Sequence, residues 1–328
     1  MIEHRPPAIE VVGLEKRFGD VEAVRGVDFT VRTGETFGFL GPNGAGKSTT
    51  INILCTLARP SAGAARVAGH DVRTERDEVR RTIGLVFQDP TLDGDLTAEE
   101  NLRFHGELYG VPRDVLDGRI DDMLGMVGLA DRRKSQVQTF SGGMKRRLEI
   151  ARGLLHSPRV LFLDEPTIGL DPQSRASVWD YIRALRERED ITVFLTTHYM
   201  DEAENCDRIA IMDSGRIVAL DTPEALKAAV GKDRVQITTD DDEAAIAALR
   251  SRFGIEAGMH SGELTFSVPD GERFVPRLFA ELGVGIRTVS VARPTLDDVF
   301  LAHTGSTIRD AEVGAERQIP AMFRAGRR

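Results

Sequence analysis

Nine residues, GPNGAGKST from Gly41 to Thr49, have the composition and spacing of a loop that wraps polyphosphate. Gly41, Gly46, Lys47 and Ser48 fill the four fixed places of the pattern G-x-x-x-x-G-K-[ST], with Pro42, Asn43, Gly44 and Ala45 between them and Thr49 closing it. Backbone N–H groups must turn inward around the phosphates, and glycine permits that close approach and the dihedrals it needs. The Lys47 ammonium would then meet the β- and γ-phosphates, and the Ser48 hydroxyl would ligate Mg²⁺. A second cluster can act on the same ligand. RVLFLDEP, from Arg159 to Pro166, runs through four apolar residues to two carboxylates and a terminating proline. Side chains alternate along a strand, so Asp164 and Glu165 can reach different targets. One can hold Mg²⁺ through water while the other orients and deprotonates an attacking water.

Four further candidates are ambiguous one at a time. Phe18 can stack on adenine or fill a hairpin core. Gln88 follows an apolar strand, where a ligand to metal or water would sit, and equally reads as a surface-loop residue. Ser141, Gly142 and Gly143 open a basic helix; they form either a second anion site built from free N–H groups or a plain N-cap. His198 stands at the tip of ITVFLTT and is structural or catalytic.

The elements that position these residues follow from pattern. TFGFL, Thr36 to Leu40, reads as a buried strand entering the glycine loop, and STTINILCTL as the helix leaving it. AIEVV and VDFTV read as strands, with a polar turn expected around Glu15 to Asp20. A glycine-rich stretch and the strand IGLVF follow. Residues 97 to 157 read as helical throughout, opened by a Thr97–Glu100 capping box, with Ile120, Met123, Leu124 and Val127 on one face. RVLFLDEP reads as a fully buried parallel strand and ITVFLTT as a further buried strand. RIAIMDSGRIVAL reads as a hairpin and TPEALKAAV as a short helix. A boundary is expected near Gly231. Beyond it, strands and helices alternate as βαββαβ, a ferredoxin-like order, although Pro276 interrupts the second helix. Residues 306 to 328 lack periodicity and read as a disordered tail.

Composition excludes several classes. The 328 residues suit one large domain or two, and 41% hydrophobic content supports a substantial core. A net charge of −9 argues against a nucleic-acid partner. No apolar run approaches the ~20 residues that span a bilayer. MIEHRPPAIE lacks a signal-peptide core, and the two cysteines, Cys55 and Cys206, have no metal or redox spacing. A cytoplasmic protein is expected.

Taken together, residues 8 to 230 resemble the ATP-binding subunits of ABC transporters. The motifs arrive in family order: Phe18 as the adenine-stacking aromatic, GPNGAGKST as Walker A, Gln88 as the Q-loop, FSGGM as the signature, VLFLDE as Walker B, GLDP with Asp171 as the D-loop and His198 as the switch histidine. Two departures stand out, Phe140 and Met144 in place of the outer residues of LSGGQ, and Phe18 where tyrosine is commoner. FSGGMKRRLEIARGL, LTTHYMDEAE and PTLDDVFLAHTG look most like the daunorubicin-resistance type of drug-export subunit.

The resemblance implies a P-loop NTPase cassette of α/β class. It would have a RecA-like core, an antiparallel β subdomain and an α-helical subdomain over about 89 to 157; the small α+β domain expected over 231 to 305 rests on its own strand and helix pattern. It also implies ATP and Mg²⁺ as ligands, with Ser48, Gln88 and Asp164 at the metal. Lys47, Gln88, Glu165 and His198 would be the catalytic set. Asp171 and Ser141-Gly142-Gly143 would serve across a head-to-tail homodimer. A separate membrane permease would carry a drug, antibiotic or lipid-like substrate, placing this chain on the cytoplasmic face of the membrane. The alternatives are a soluble ABC ATPase acting on ribosomes or DNA, a non-hydrolysing regulatory subunit, and an importer subunit.

Overall fold

The computed structural model describes residues 6–189, 191–260 and 263–304. They form two compact units, the second beginning at Pro223.

The first unit is built around a six-stranded sheet ordered Arg216–Asp221, Arg208–Asp213, Thr36–Leu40, Thr192–Thr197, Val160–Asp164, Ile83–Val86. All neighbours run parallel except the Arg216–Asp221 edge, which closes a hairpin on Arg208–Asp213. The three central strands are buried from end to end, as strands covered on both faces must be. Phe29, Phe37, Phe39, Phe162 and Phe194 pack against one another with centroids 5.0 to 6.0 Å apart. Parallel register decides where chemistry can happen. Leu40 pairs with Thr197, and Asp164 with Thr196, so the loops leaving these strands emerge along one edge.

A four-stranded antiparallel sheet, ordered Val21–Val31, Ile9–Phe18, Ala62–Val67, His70–Asp71, shares this core. The polar turn expected around Glu15 to Asp20 is mostly strand: Glu15 pairs with Arg25, Lys16 with Val24 and Phe18 with Val21. Irregular register on either side of Leu14 and after Lys16 lets the strand carry its charged residues outward. Only Gly19 and Asp20 turn.

The expected continuous helical region is three helices, Ala98–Leu108, Arg113–Met126 and Gly142–Leu154. Pro112 starts the second helix and Gly128, at φ 64°, stops it. The residues before Gly142 then make only short 3₁₀ turns, Ala130–Arg132 and Val137–Thr139. The capping box is formed, with Glu100 N donating to Thr97 Oγ1 and Thr97 N to Glu100. Ile120, Leu124 and Val127 are buried together, whereas Met123 is half-buried at the cluster's margin. Glu99, 8% exposed, ties this region together. It accepts from Arg133 at 2.7 Å, Lys134 at 2.6 Å and Arg103 at 3.0 Å, and the two arginines also meet Asp121 and Asp117. Those cations, Arg133 foremost, hold the Glu99 carboxyl far below the usual range. A depressed folded value means stability that is complete above the ordinary glutamate range and lost as pH falls through the depressed one. Glu99→Gln should therefore lower stability by about 1–3 kcal/mol at neutral pH, because the cations lose a charged acceptor. Denaturant melts of the two proteins should converge in strong acid.

In the second unit, Asp233–Thr239, Gly258–His260, Glu263–Val268 and Ile286–Ala292 form an antiparallel sheet. The first and last strands are neighbours, and the spatial order runs second, third, first, fourth. Helix Asp242–Ala248, extended by a π turn, and helix Gly271–Glu281 complete the ferredoxin-like βαββαβ arrangement. Pro276 sits inside the second helix, which buries only Gly271 and Leu278. The cost of the missing N–H is thus borne by a largely solvated helix. Helices Pro223–Val230 and Leu296–Thr304 pack on each other within this unit. The expected tail at 306–328 lies outside the described residues.

Candidate nucleotide site

The chain leaves Leu40 and wraps through Gly41 to Gly46 before entering helix Lys47–Leu54. Two glycines there have no substitute. Gly46 adopts φ 106°, and a Cβ would lie 2.4 Å from the Ala23 carbonyl oxygen; at Gly41 a Cβ would lie 2.2 Å from that of Met212. Gly44, at φ 82°, faces open space where its Cβ would stand, so the loop's inner surface is bare backbone. This is the cradle an anion requires, at the N-terminus of an eight-residue helix. The cleft beside it, about 350 Å³, is lined by Asn43, Gly44, Lys47, Ser48, Gln88 and Glu165 among others.

Lys47 is buried and donates to the carbonyl oxygens of Gly41 at 2.7 Å and Pro42 at 3.1 Å. Its ammonium also lies 3.5 Å from Glu165 Oε1. Ser48 Oγ donates to Asp164 Oδ1 at 3.1 Å, and Thr196 donates to the same oxygen at 2.5 Å. Burial raises the Asp164 carboxyl despite those two hydroxyls, so a cation placed beside it would restore its charge. The hydroxyl of Ser48, the carboxylate of Asp164 and the amide of Gln88 are hard donors of the kind Mg²⁺ accepts.

Glu165 is the focus. It is buried, and its backbone is held at φ 47°, in the left-handed region. Thr196 Oγ1 accepts from its N–H at 3.0 Å and Gln88 Nε2 donates to its Oε2 at 3.3 Å. His198 Nδ1 lies 3.5 Å from Oε1, without hydrogen-bond alignment. Burial alone would raise this carboxyl; the adjacent His198 imidazole and Lys47 ammonium outweigh it and hold the group below the usual range. The carboxylate is therefore charged at neutral pH and able to accept a proton.

The structure thus gathers Gly41 to Thr49, Gln88, Asp164, Glu165 and His198 on one edge. Other candidates stand apart. Phe18 is 54% exposed at the end of its strand, with Lys16 Nζ 4.6 Å from its ring centroid, and does not line the cleft. Ser141 caps helix Gly142–Leu154 by accepting from Met144 N at 3.3 Å, while Ser141 and Gly142 are exposed. Asp171 is exposed and accepts from Ser174 N at 2.9 Å and Ser174 Oγ at 2.6 Å.

Sequence reasoning missed two residues. Thr196 ties the Asp164 carboxylate to the Glu165 backbone N–H, but a threonine inside a buried strand carries no special signal. Arg146 is buried; it donates to the carbonyls of Pro166 at 2.6 Å and of Asp164 and Glu165 at 3.1 Å each, and reaches Phe87 and Glu149. Its place within KRR gave no sign which cation turns inward.

Residues 24–168 match the ABC transporter family model, and residues 222–304 match the C-terminal domain of DrrA1-3-like ATP-binding proteins. The chain is 42% identical over 311 residues to the daunorubicin resistance ATP-binding protein DrrA3 of Streptomyces coeruleorubidus, covering 93% of this chain and 98% of that protein. The chain belongs to the ABC transporter ATP-binding proteins. This ABC protein is also 38% identical to the linearmycin resistance ATP-binding protein LnrL of Bacillus subtilis, covering 92% of this chain and 100% of that one. Solved structures agree on the cassette. CbiO1 of Clostridium perfringens, part of an ABC transporter complex, superposes with TM-score 0.64 at 26% identity, covering 76% of this chain and 97% of that chain. A dimeric post-hydrolysis ATP-binding cassette bound to ADP and phosphate superposes with TM-score 0.59 at 27% identity, covering 65% and 98%. The P-loop fold is that of an ABC ATPase, and the ABC protein described here binds and hydrolyses ATP.

Proposed function

We propose that this ATPase powers export of a drug, antibiotic or lipid-like compound through a separate membrane permease. The observation that carries this reading is similarity over nearly the whole length of resistance ATP-binding proteins, through both compact units. Among the described residues, no helix is long and apolar enough to cross a membrane, so the pathway would belong to the partner. The working site is the cytoplasmic face of the membrane, without a nucleic-acid role.

Two copies would pair head to tail, each ATP lying between one Walker A loop and the partner's Ser141, Gly142 and Gly143. The exposure of Ser141 and Gly142, away from their own cleft, supports that pairing. Ser48, Gln88 and Asp164 would hold Mg²⁺, which when bound would supply positive charge against the phosphates. Lys47 places its ammonium on the β- and γ-phosphate oxygens. Glu165 orients the attacking water and takes its proton, His198 holds the γ-phosphate, Phe18 stacks on adenine and Asp171 links the two sites.

A groove of about 500 Å³ offers the permease a seat. Leu57, Phe104 and Leu108 on its wall are 52%, 66% and 69% exposed, three large apolar side chains gathered on one groove, as at interaction sites. Leu108→Glu should weaken association with the membrane subunit by at least about 10-fold while basal ATPase activity is kept. The function itself is tested by isolating this subunit from native membranes. A co-purifying permease whose deletion abolishes efflux supports the proposal; recovery with ribosomes or DNA alone would sink it.

A further inference from the structure

His198 does not stand alone at its strand tip. The ring of Tyr199 lies 4.1 Å from the His198 ring, centroid to centroid, tilted by 42°, and the guanidinium carbon of Arg175 lies 4.0 Å from the Tyr199 centroid. Among the described residues, Arg175 Nε is buried without a hydrogen-bond partner, so the ring face is a principal contact of that cation. Glu202, nearly fully buried and bonded to the Thr167 hydroxyl, supplies a carboxylate within electrostatic reach of Arg175.

Arg175 sits in the first turn of helix Pro172–Glu189, and its N–H donates to the Asp171 carbonyl at 2.9 Å. That turn is held from two further directions. Asp171 accepts from Ser174, and Ser174 packs against Gly143 so closely that a Cβ there would come within 2.8 Å of Ser174 Oγ. One turn of helix therefore touches the Ser141–Gly143 segment and also, through Arg175 and Tyr199, the switch histidine.

We propose that Arg175 and Tyr199 are positioning residues, a cation and a ring stacked in sequence, that set the aim of His198 from the Asp171–Arg175 turn. The inference rests on the γ-phosphate role proposed for His198. Its chemistry is that of a face contact, so what Tyr199 must keep is a planar ring.

The test is steady-state ATP hydrolysis and nucleotide affinity in the full-length chain. Tyr199→Phe should retain activity within about 2-fold, while Tyr199→Leu, which keeps apolar bulk but no ring, should lower kcat about 10-fold with little change in KM. Arg175→Gln should lower kcat less, about 3-fold, again with KM kept. In a His198→Ala background, Tyr199→Leu should cost nothing further, because its effect runs through the missing imidazole. Full activity in Tyr199→Leu would overturn the proposal, as would a loss that simply adds to that of His198→Ala. Full activity in His198→Ala alone would instead remove the histidine's role, and this inference with it.

Discussion

Glu165→Gln should bind ATP with near-parental affinity and turn it over at least about 100-fold more slowly, the range that general-base loss produces. The phosphate cradle is untouched by the change, since Gly41 to Ser48 make their contacts through backbone, ammonium and hydroxyl. The left-handed backbone at position 165 is also kept, because glutamine meets the same strain as glutamate. What disappears is the carboxylate that Lys47 and His198 hold in its charged form. Nucleotide that cannot be hydrolysed would keep the proposed dimer closed. Equilibrium nucleotide binding, phosphate release and light scattering measure the three consequences, and parental turnover in this variant would take the base role away from Glu165.

The second large effect is a recovery. Ser141→Arg and Lys47→Ala should each suppress hydrolysis strongly, the first by filling the exposed helix start with a bulky cation, the second by removing a buried charge from the phosphates. In a mixed population, heterodimers would place both lesions in one composite site and leave the other intact. Up to about half of the parental rate per heterodimer should return, as an arrangement of two sites shared across an interface requires. Heterodimers that form, shown by differentially tagged chains, yet hydrolyse nothing would argue against sharing.

Much of this was legible in advance, for reasons that differ by residue. The loop at Gly41 to Thr49 announces itself because its glycines answer to backbone geometry: Gly46 must adopt φ 106° against the Ala23 carbonyl, and only one residue type can. The strand Val160–Asp164 is visible because full burial leaves an uninterrupted apolar run. The capping box at Thr97 is local, so four residues suffice to state it. What stayed hidden depends on distant partners. Glu15 to Phe18 look like a turn until the pairing with Val21 to Arg25 is known. Arg146 looks like its neighbours Lys145 and Arg147 until four carbonyl groups from two other segments converge on it. The stretch from Met126 to Gly142 carries helix-forming residues, yet Gly128 ends the helix and short turns carry the chain onward.

Arg146 has a mechanical meaning as well. Helix Gly142–Leu154 is 13 residues, about 20 Å of rigid rod. Ser141 stands at one end; Arg152 near the other lines the apolar groove, and His156 just beyond stacks on Tyr109 at 4.2 Å. Arg146 pins the rod to the strand exits bearing Asp164 and Glu165, closer to the Ser141 end than to the groove. The rod therefore spans two surfaces that no single loop could join: its exposed start belongs to the nucleotide interface proposed above and its far end to the groove, with the carboxylate-bearing strand exits clamped between them.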